Sequence, residues 1–383
     1  MNKIYKLKNQ IKHYEWGSSK IMPEFLGIKT PGNVPYAEMW MGTHKGAPSQ
    51  TNLNGKISLE EISGELPFLF KLLAVDKPLS LQAHPNREKA QEGFRLEEEA
   101  GMDIKSPMRN YKDNGHKTEL LCALSRFTII AGFKTAAGIN KTLNEFLVVF
   151  PQLKEIISPL QRSFKTDSLA VFFRILNNFS KLEREYIREL LINKEIPLKG
   201  DVILPEQWEL IKRFAIQYPD DPAILSPLYL NYITLQPGQA IYIPSGVLHS
   251  YISGFGVEIM SASDNVLRGG LTPKYIDIPE LMNIVCFDPY NPKILSPVYS
   301  SWFCFGSKDF SLAIMEGDGQ EKPFQGKGPG ICLVTDGELL VENTSFKKGE
   351  SFYIPKNNDE LLFSGNFSAF FASPPLKSNV TVE

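Results

Sequence analysis

Hydrophobic spacing changes period twice along the 383-residue chain. From Phe68 to Leu81 an apolar run interrupted by Asp76-Lys77-Pro78 predicts strand, turn, strand. Just upstream, Ser58-Leu59-Glu60-Glu61 has the Ser-x-x-Glu form of a capping box opening a short helix. Asn86-Arg87-Glu88-Lys89 starts a second helix, which runs to about Ala100 and stops at Gly101. A polar turn over 111–117, with an Asn114-Gly115 step, leads into a strand predicted from Thr118 to Leu124. Between about Lys134 and Phe214 the period becomes helical. Leu182, Tyr186 and Leu190 recur at four-residue steps, Ile187 and Leu191 lie beside them, and Lys181, Glu185, Arg188 and Glu189 take the opposite face. From Tyr229 the pattern is β again, so the helical block reads as an insertion between β regions.

The second β region contains an internal repeat. Leu235-Gln236-Pro237-Gly238-Gln239-Ala240-Ile241-Tyr242-Ile243-Pro244 matches Phe346-Lys347-Lys348-Gly349-Glu350-Ser351-Phe352-Tyr353-Ile354-Pro355. Each copy is a Gly turn, a short strand with Tyr, then Ile-Pro, a unit that resembles those of cupin-type jelly-roll barrels. The first copy continues to His249; the matching position in the second is Glu360, and no His follows His249. The expected fold is therefore mainly β, with two cupin-type jelly-roll barrels, the second without a metal site, and an inserted helical domain. The expected division is 1–134 with 215–290 for the catalytic barrel region, 135–214 for the helical insertion and 291–383 for the second barrel.

Composition narrows the function classes. Hydrophobic residues at 43% and charged residues at 22% suit a globular chain with an ample core. A net charge of −2 gives no general attraction to nucleic acid or anionic membranes, so anion binding must come from a local cluster. The N-terminus lacks the apolar run of a signal peptide, and no stretch reaches membrane-spanning length. Cys122, Cys286, Cys304 and Cys332 are scattered without a CxxC, which fits buried thiols in a reducing cytoplasm.

Candidate chemistry gathers around Leu81-Gln82-Ala83-His84-Pro85. In a strand Gln82 and His84 point the same way, and Pro85 marks the strand's end. A buried His paired with a Gln reads the same from this pentapeptide alone. The chain has five histidines, His13, His44, His84, His116 and His249. Of these, His84, His116 and His249 fall where they can converge. Gln82, His84, Glu119 and His249 make an N/O ligand set suited to zinc, leaving about one net positive charge. Such a centre suits polarising the oxygens of an anionic or enolising substrate. After the barrel strand, Gly269 and Gly270 bring the backbone close to Arg268, a natural donor to phosphate or an oxyanion, and Asp264 in the same loop can shuttle a proton or hold Arg268. Lys117 lies two residues from Glu119 and shares its face if the strand begins that early; a metal beside it would push its pKa down. Solvated surface charge is the plain alternative for Lys117 and Lys274. Trp16 and Trp40, in Tyr14-Glu15-Trp16-Gly17-Ser18 and Tyr36-Ala37-Glu38-Met39-Trp40, either flank a ligand or fill a core.

Together, Tyr36 through His44, Lys71 through Pro85, His116-Lys117-Thr118-Glu119, Ile243 through His249 and Ser263 through Lys274 resemble the type I phosphomannose isomerases over most of the chain. That resemblance implies one zinc on Gln82, His84, Glu119 and His249. It implies catalytic roles for Arg268, Lys117, Asp264 and His116, and substrate contacts at Lys71, Ser80, Trp16 and Lys274. The implied reaction interconverts mannose 6-phosphate and fructose 6-phosphate through a zinc-stabilised cis-enediolate. The implied partner is a small sugar phosphate, with no nucleic acid or membrane, and the chain is expected as a cytoplasmic monomer or weak homo-oligomer. Thr118 replaces a usual Pro and Gly269 a usual Ala; neither removes a functional group. Two readings of other classes are a non-catalytic, metal-holding sugar-phosphate sensor and an iron-dependent cupin oxygenase. A proton relay beside the ligand set weighs against the first, and the Gln ligand with no further histidines against the second.

Overall fold

Strand Phe68–Val75 is buried along its whole length, which is why its sequence is a continuous apolar run rather than an alternation. The computed structural model describes residues 4–29, 32–51, 57–164, 168–195, 201–297, 302–326, 328–356 and 361–382. One face of this strand, with Phe70 and Leu72, packs into a core shared with a second sheet. The other, with Leu73 and Val75, lines a separate core inside the first sheet. The strand pairs antiparallel with Glu38–Met41 on one side and His249–Ser261 on the other.

His249–Ser261 organises the first sheet. Its C-terminal half pairs with Phe68–Val75 and Glu119–Ala123, and its N-terminal half with Leu81–Ala83 and Phe127–Phe133. One long strand with two sets of neighbours curls the sheet around Leu121, Ile129, Ile243 and Tyr251. The predicted start signals hold. Ser58 and Glu61 form the capping box of Leu59–Ser63, and the Asn86 side chain caps Arg87–Glu99. The strand expected from Thr118 to Leu124 runs Glu119–Ala123.

The two repeat copies fall in different sheets. Gly238 (φ +84°) and Gly349 (φ +85°) take the same left-handed turn, which favours glycine, before Ala240–Ile243 and Ser351–Ile354. Glu360 lies outside the described residues. The second sheet carries Trp302–Gly306, Ser311–Asp318, Asn366–Ser373 and Gly330–Val341, and Tyr5–Lys8 extends it, pairing with Ser351–Ile354 on one side and Gln50–Thr51 on the other. That first strand, expected with the catalytic barrel, thus joins the second sheet. Its alternation, Tyr5 and Leu7 inward and the lysines outward, is too short to specify a partner.

The helices lie between Phe127–Phe133 and Leu230–Leu235, two strands that pair with each other from Phe133↔Leu230 onward. The block is therefore inserted into a β-hairpin, and its core, with Phe146, Phe173, Trp208 and Phe214, continues onto Leu81 and Leu267 of the first sheet. In helix Lys181–Asn193 the predicted stripe is displaced. Leu182 and Tyr186 are 77% and 41% exposed, while Ile187 and Leu191 are buried. The inner face includes Arg188, whose Nε donates to the Ala215 carbonyl, so a polar residue sits where the spacing predicted an outer one. No helix of the described residues is long and apolar enough to cross a membrane. Cys122, Cys304 and Cys332 are buried free thiols as expected; Cys286 is exposed.

Candidate functional site

Four short pieces of chain meet inside the curled sheet. Cross-strand register sets His249 opposite Gln82 and Gln82 opposite Arg268, so the three lie in one row across adjacent strands. His84 follows Leu81–Ala83, and its Nδ1 lies 2.8 Å from the Asn265 carbonyl. His249 Nδ1 lies 2.9 Å from the Val247 carbonyl. Because a carbonyl only accepts, each Nδ1 carries the proton and each Nε2 keeps its lone pair. These two Nε2 atoms are buried without a hydrogen-bond partner, 3.2 Å from the two oxygens of Glu119. The ligand atoms of His84, Glu119 and His249 lie within 4.8 Å of one another. Two buried imidazole lone pairs with no hydrogen-bond partner, set on either side of a carboxylate, fit a divalent metal.

Electrostatics agree with ligation. Burial, aided by Lys117, pulls the His84 imidazole down to about 4, so it is neutral near pH 7 as a metal ligand must be. Burial opposes charge on Glu119, but Lys117 and then His84 hold it well below the usual carboxylate range. The Tyr251 hydroxyl donates to Glu119 Oε2 at 3.2 Å. Gln82 Oε1 accepts from Ser80 at 3.2 Å, which places Ser80 behind the amide.

The predicted residues divide into those the fold gathers and those it does not. Lys117 Nζ lies 3.0 Å from Glu119 Oε1, although the strand begins only at Glu119. Arg268 is half-buried, and burial lowers its pKa. Its charged neighbours are Lys274 and Lys112, and no carboxylate pairs with it among the described residues. Burial and then Arg268 lower Lys274, which is exposed. Asp264 sits nearer the surface with His44 Nε2 at 3.1 Å; burial opposes its charge, and the His44 hydrogen bond holds it below its ordinary value. Trp16 is half-buried and stacks on Tyr14 at 5.8 Å. His116 pairs elsewhere, with Nε2 2.9 Å from Asp309 Oδ1 of the second sheet. Lys71 is buried between Glu38 and Glu258, each at 3.4 Å, and Trp40 donates to Glu38 at 2.7 Å. Burial alone would lower Lys71, but the two carboxylates raise it above its usual value.

Several contributors escape the motif reading. Glu258 is buried, and desolvation followed by the charge of Glu119 raises its pKa. A lone charge in the long apolar strand His249–Ser261 was its available signal. Asn265 holds the loop before Lys117 by accepting from Lys112 N–H and donating to the Asp113 and Gly115 carbonyls. Asp221 accepts from the backbone N–H groups of Ala223 and Leu271, fixing the loop after Arg268.

A buried carboxylate between two lone-pair-bearing imidazoles, with a lysine beside it and an arginine in the adjoining strand row, forms a candidate metal-dependent active site on a curled β-sheet. Residues 4–136 match the family of the phosphomannose isomerase type I catalytic domain. The chain is 32% identical to mannose-6-phosphate isomerase of Escherichia coli K12, over 95% of this chain and 97% of that protein. It is 31% identical to the Homo sapiens enzyme of the same name, over 76% and 75%. A crystal structure of mannose 6-phosphate isomerase bound with zinc and yttrium superposes with TM-score 0.86 at 31% identity, covering 98% of this chain and all of that one. The chain belongs to the type I phosphomannose isomerase family.

Proposed function

We propose that this chain reversibly interconverts mannose 6-phosphate and fructose 6-phosphate. The observation that carries the reading is the cluster of Lys117, Glu119, His84 and His249: a metal-ready triad with a proton-carrying side chain 3.0 Å from its carboxylate. Zinc fits His84, Glu119 and His249, with Gln82 as fourth ligand, and when bound would supply a Lewis acid to the sugar oxygens. The substrates differ by two hydrogens, the one on C2 moving to C1 and the hydroxyl hydrogen of O2 to O1. Lys117 Nζ, as the uncharged amine, would take the C2 proton, leaving a cis-enediolate, and return it to C1, while O2 gives its hydroxyl proton to solvent and O1 takes one up, so that no atom is gained or lost. Arg268, free of a carboxylate, would hold developing negative charge, with Lys274 beside it for the phosphate. Lys71 is engaged by two carboxylates, which favours a role as their counter-ion over a direct phosphate contact. Asp264, paired with His44 at 3.1 Å, would assist ring opening.

On this reading the curled first sheet is a cupin-type jelly-roll barrel drawn from 1–134 and 215–290, less Tyr5–Lys8, Gln50–Thr51 and Ile57–Ser58 and with Ile294–Leu295 added, and 135–214 is the helical insertion. The rest of 291–383, with those three strands, forms a second cupin-like barrel without a metal. A cytoplasmic enzyme, monomeric or weakly self-associating, matches the buried thiols and near-neutral charge. Metal analysis with a mannose 6-phosphate turnover assay tests the proposal. One zinc per chain and formation of fructose 6-phosphate are expected. Tight substrate binding with no ketose formed overturns it in favour of a sensor, and iron with oxygen consumption in favour of an oxygenase.

A further inference from the structure

Lys117 is held from behind. Residues 116–118 run just ahead of strand Glu119–Ala123, and their side chains take opposite sides. Lys117 reaches Glu119, while His116 and Thr118 both reach Asp309: His116 Nε2 lies 2.9 Å from Oδ1 and the Thr118 hydroxyl donates to Oδ2 at 3.1 Å. The two oxygens of one carboxylate thus face the two residues flanking Lys117, one in close contact with His116 Nε2 outside hydrogen-bond geometry and the other accepting from Thr118. Asp309 and His116 are 10% and 11% exposed, so water competes little for these contacts.

The carboxylate is itself rigidly mounted. It sits in the turn between Trp302–Gly306 and Ser311–Asp318, where Ser307 N–H donates to the Phe310 carbonyl at 2.9 Å and Ser307 Oγ accepts from Asp309 and Phe310 N–H at 3.1 Å each. Phe310 is fully buried in the core between the sheets. The second sheet, which carries no member of the metal cluster, therefore presents a fixed acceptor to the active-site segment of the first.

We propose that Asp309 is a positioning residue: through His116 and Thr118 it fixes residues 116–118 so that Lys117 faces the metal cluster. This rests on the role proposed above for Lys117. The test is a double-mutant cycle on the zinc-loaded enzyme, with kcat, KM, zinc content and thermal melting measured for Asp309→Ala, Lys117→Met and the pair. Asp309→Ala should lower kcat about 10- to 100-fold, as for displacement of a reacting group by about 1 Å, with KM within about twofold and zinc retained. In the Lys117→Met background the same change should lower kcat by less than about twofold, because it acts through a group already removed. Asp309→Asn, which keeps the shape and one acceptor, should fall between and carries the same cycle if the alanine variant does not fold. Full additivity with Lys117→Met, loss of zinc in step with kcat, or unchanged kcat overturns the proposal. Parent-like turnover in Lys117→Met alone would instead remove the lysine from the mechanism, a failure distinguishable because it leaves nothing for Asp309 to position.

Discussion

At the scale of single residues, the centre depends on two imidazoles whose protons are directed outward by backbone carbonyls. His249→Ala removes one buried lone pair from the set. Zinc measured by mass spectrometry should fall well below one per chain, with turnover falling in proportion; full zinc occupancy would remove His249 as a ligand. The His84 imidazole also sets an acid limit on the metal-free protein. Its folded pKa of about 4 is below the ordinary value of 6.5, so below pH 6.5 the unfolded chain takes up a proton that the folded chain refuses. That contribution is complete above pH 6.5 and is lost as pH falls toward 4, in total roughly 3 kcal/mol. Urea titrations of stripped protein at pH 7, 5.5 and 4.5 should show a steady decline that His84→Gln flattens. Much of this centre was legible in the sequence because metal ligands come from a short menu of side chains, chiefly His, Cys, Asp and Glu, and the chain has few histidines to choose from. The approach of His116 to Asp309 was hidden because proximity in sequence to Glu119 says nothing about which side of the chain a side chain takes. The burial of Lys71 between Glu38 and Glu258 was equally hidden, since it depends on the register of three strands distant in sequence.

At the scale of elements, the loop after Arg268 is shaped from outside the first sheet. Leu271 has φ +55°, an unfavourable conformation for a leucine, and its N–H donates to Asp221 Oδ2 at 2.5 Å. Gly270 fits against the same residue: an added Cβ would meet Ala223 Cβ at 2.3 Å and Asp221 Oδ1 at 2.8 Å. Asp221→Ala leaves two backbone donors without their acceptor and releases a strained residue. Stability should fall by about 1–3 kcal/mol. Because Arg268 and Lys274 ride on this loop, KM for mannose 6-phosphate should rise severalfold with zinc retained; an unchanged KM would mean that the loop holds its shape unaided. Elements with strong local signals, such as the Ser58 and Asn86 caps and the two glycine turns, were legible in advance. The register of Lys181–Asn193 was not, since two neighbouring stripes are both apolar and only packing against Pro205–Gln217 selects between them.

At the scale of the whole molecule, the two sheets share a core that neither owns: Phe70, Leu72 and Val257 from the first meet Phe305, Phe310 and Phe370 from the second. Phe310→Ala opens a cavity at that junction and should lower stability by about 3–5 kcal/mol in equilibrium unfolding. It should also reduce turnover while zinc stays bound, since the turn it anchors carries Asp309; full activity in the folded variant would show that the turn does not need this anchor. Sequence periodicity marked each sheet as β but could not show that Tyr5–Lys8 would cross to the second, because the partners of so short a strand are chosen by the neighbours available rather than by its own pattern.

The hairpin that carries the helical block, with Phe133 and Leu230 as neighbours at its mouth, works as a socket. The chain leaves the first sheet and returns to it at one place, whatever it does in between. The entropy of closing such a loop grows only with the logarithm of its length, so this is where the fold can gain or lose helices with least disturbance to the metal centre. Lengthening the block at its outer, solvent-facing turns is then a route to new surface on an unchanged active site, provided that the residues touching Leu81 and Leu267 keep their places.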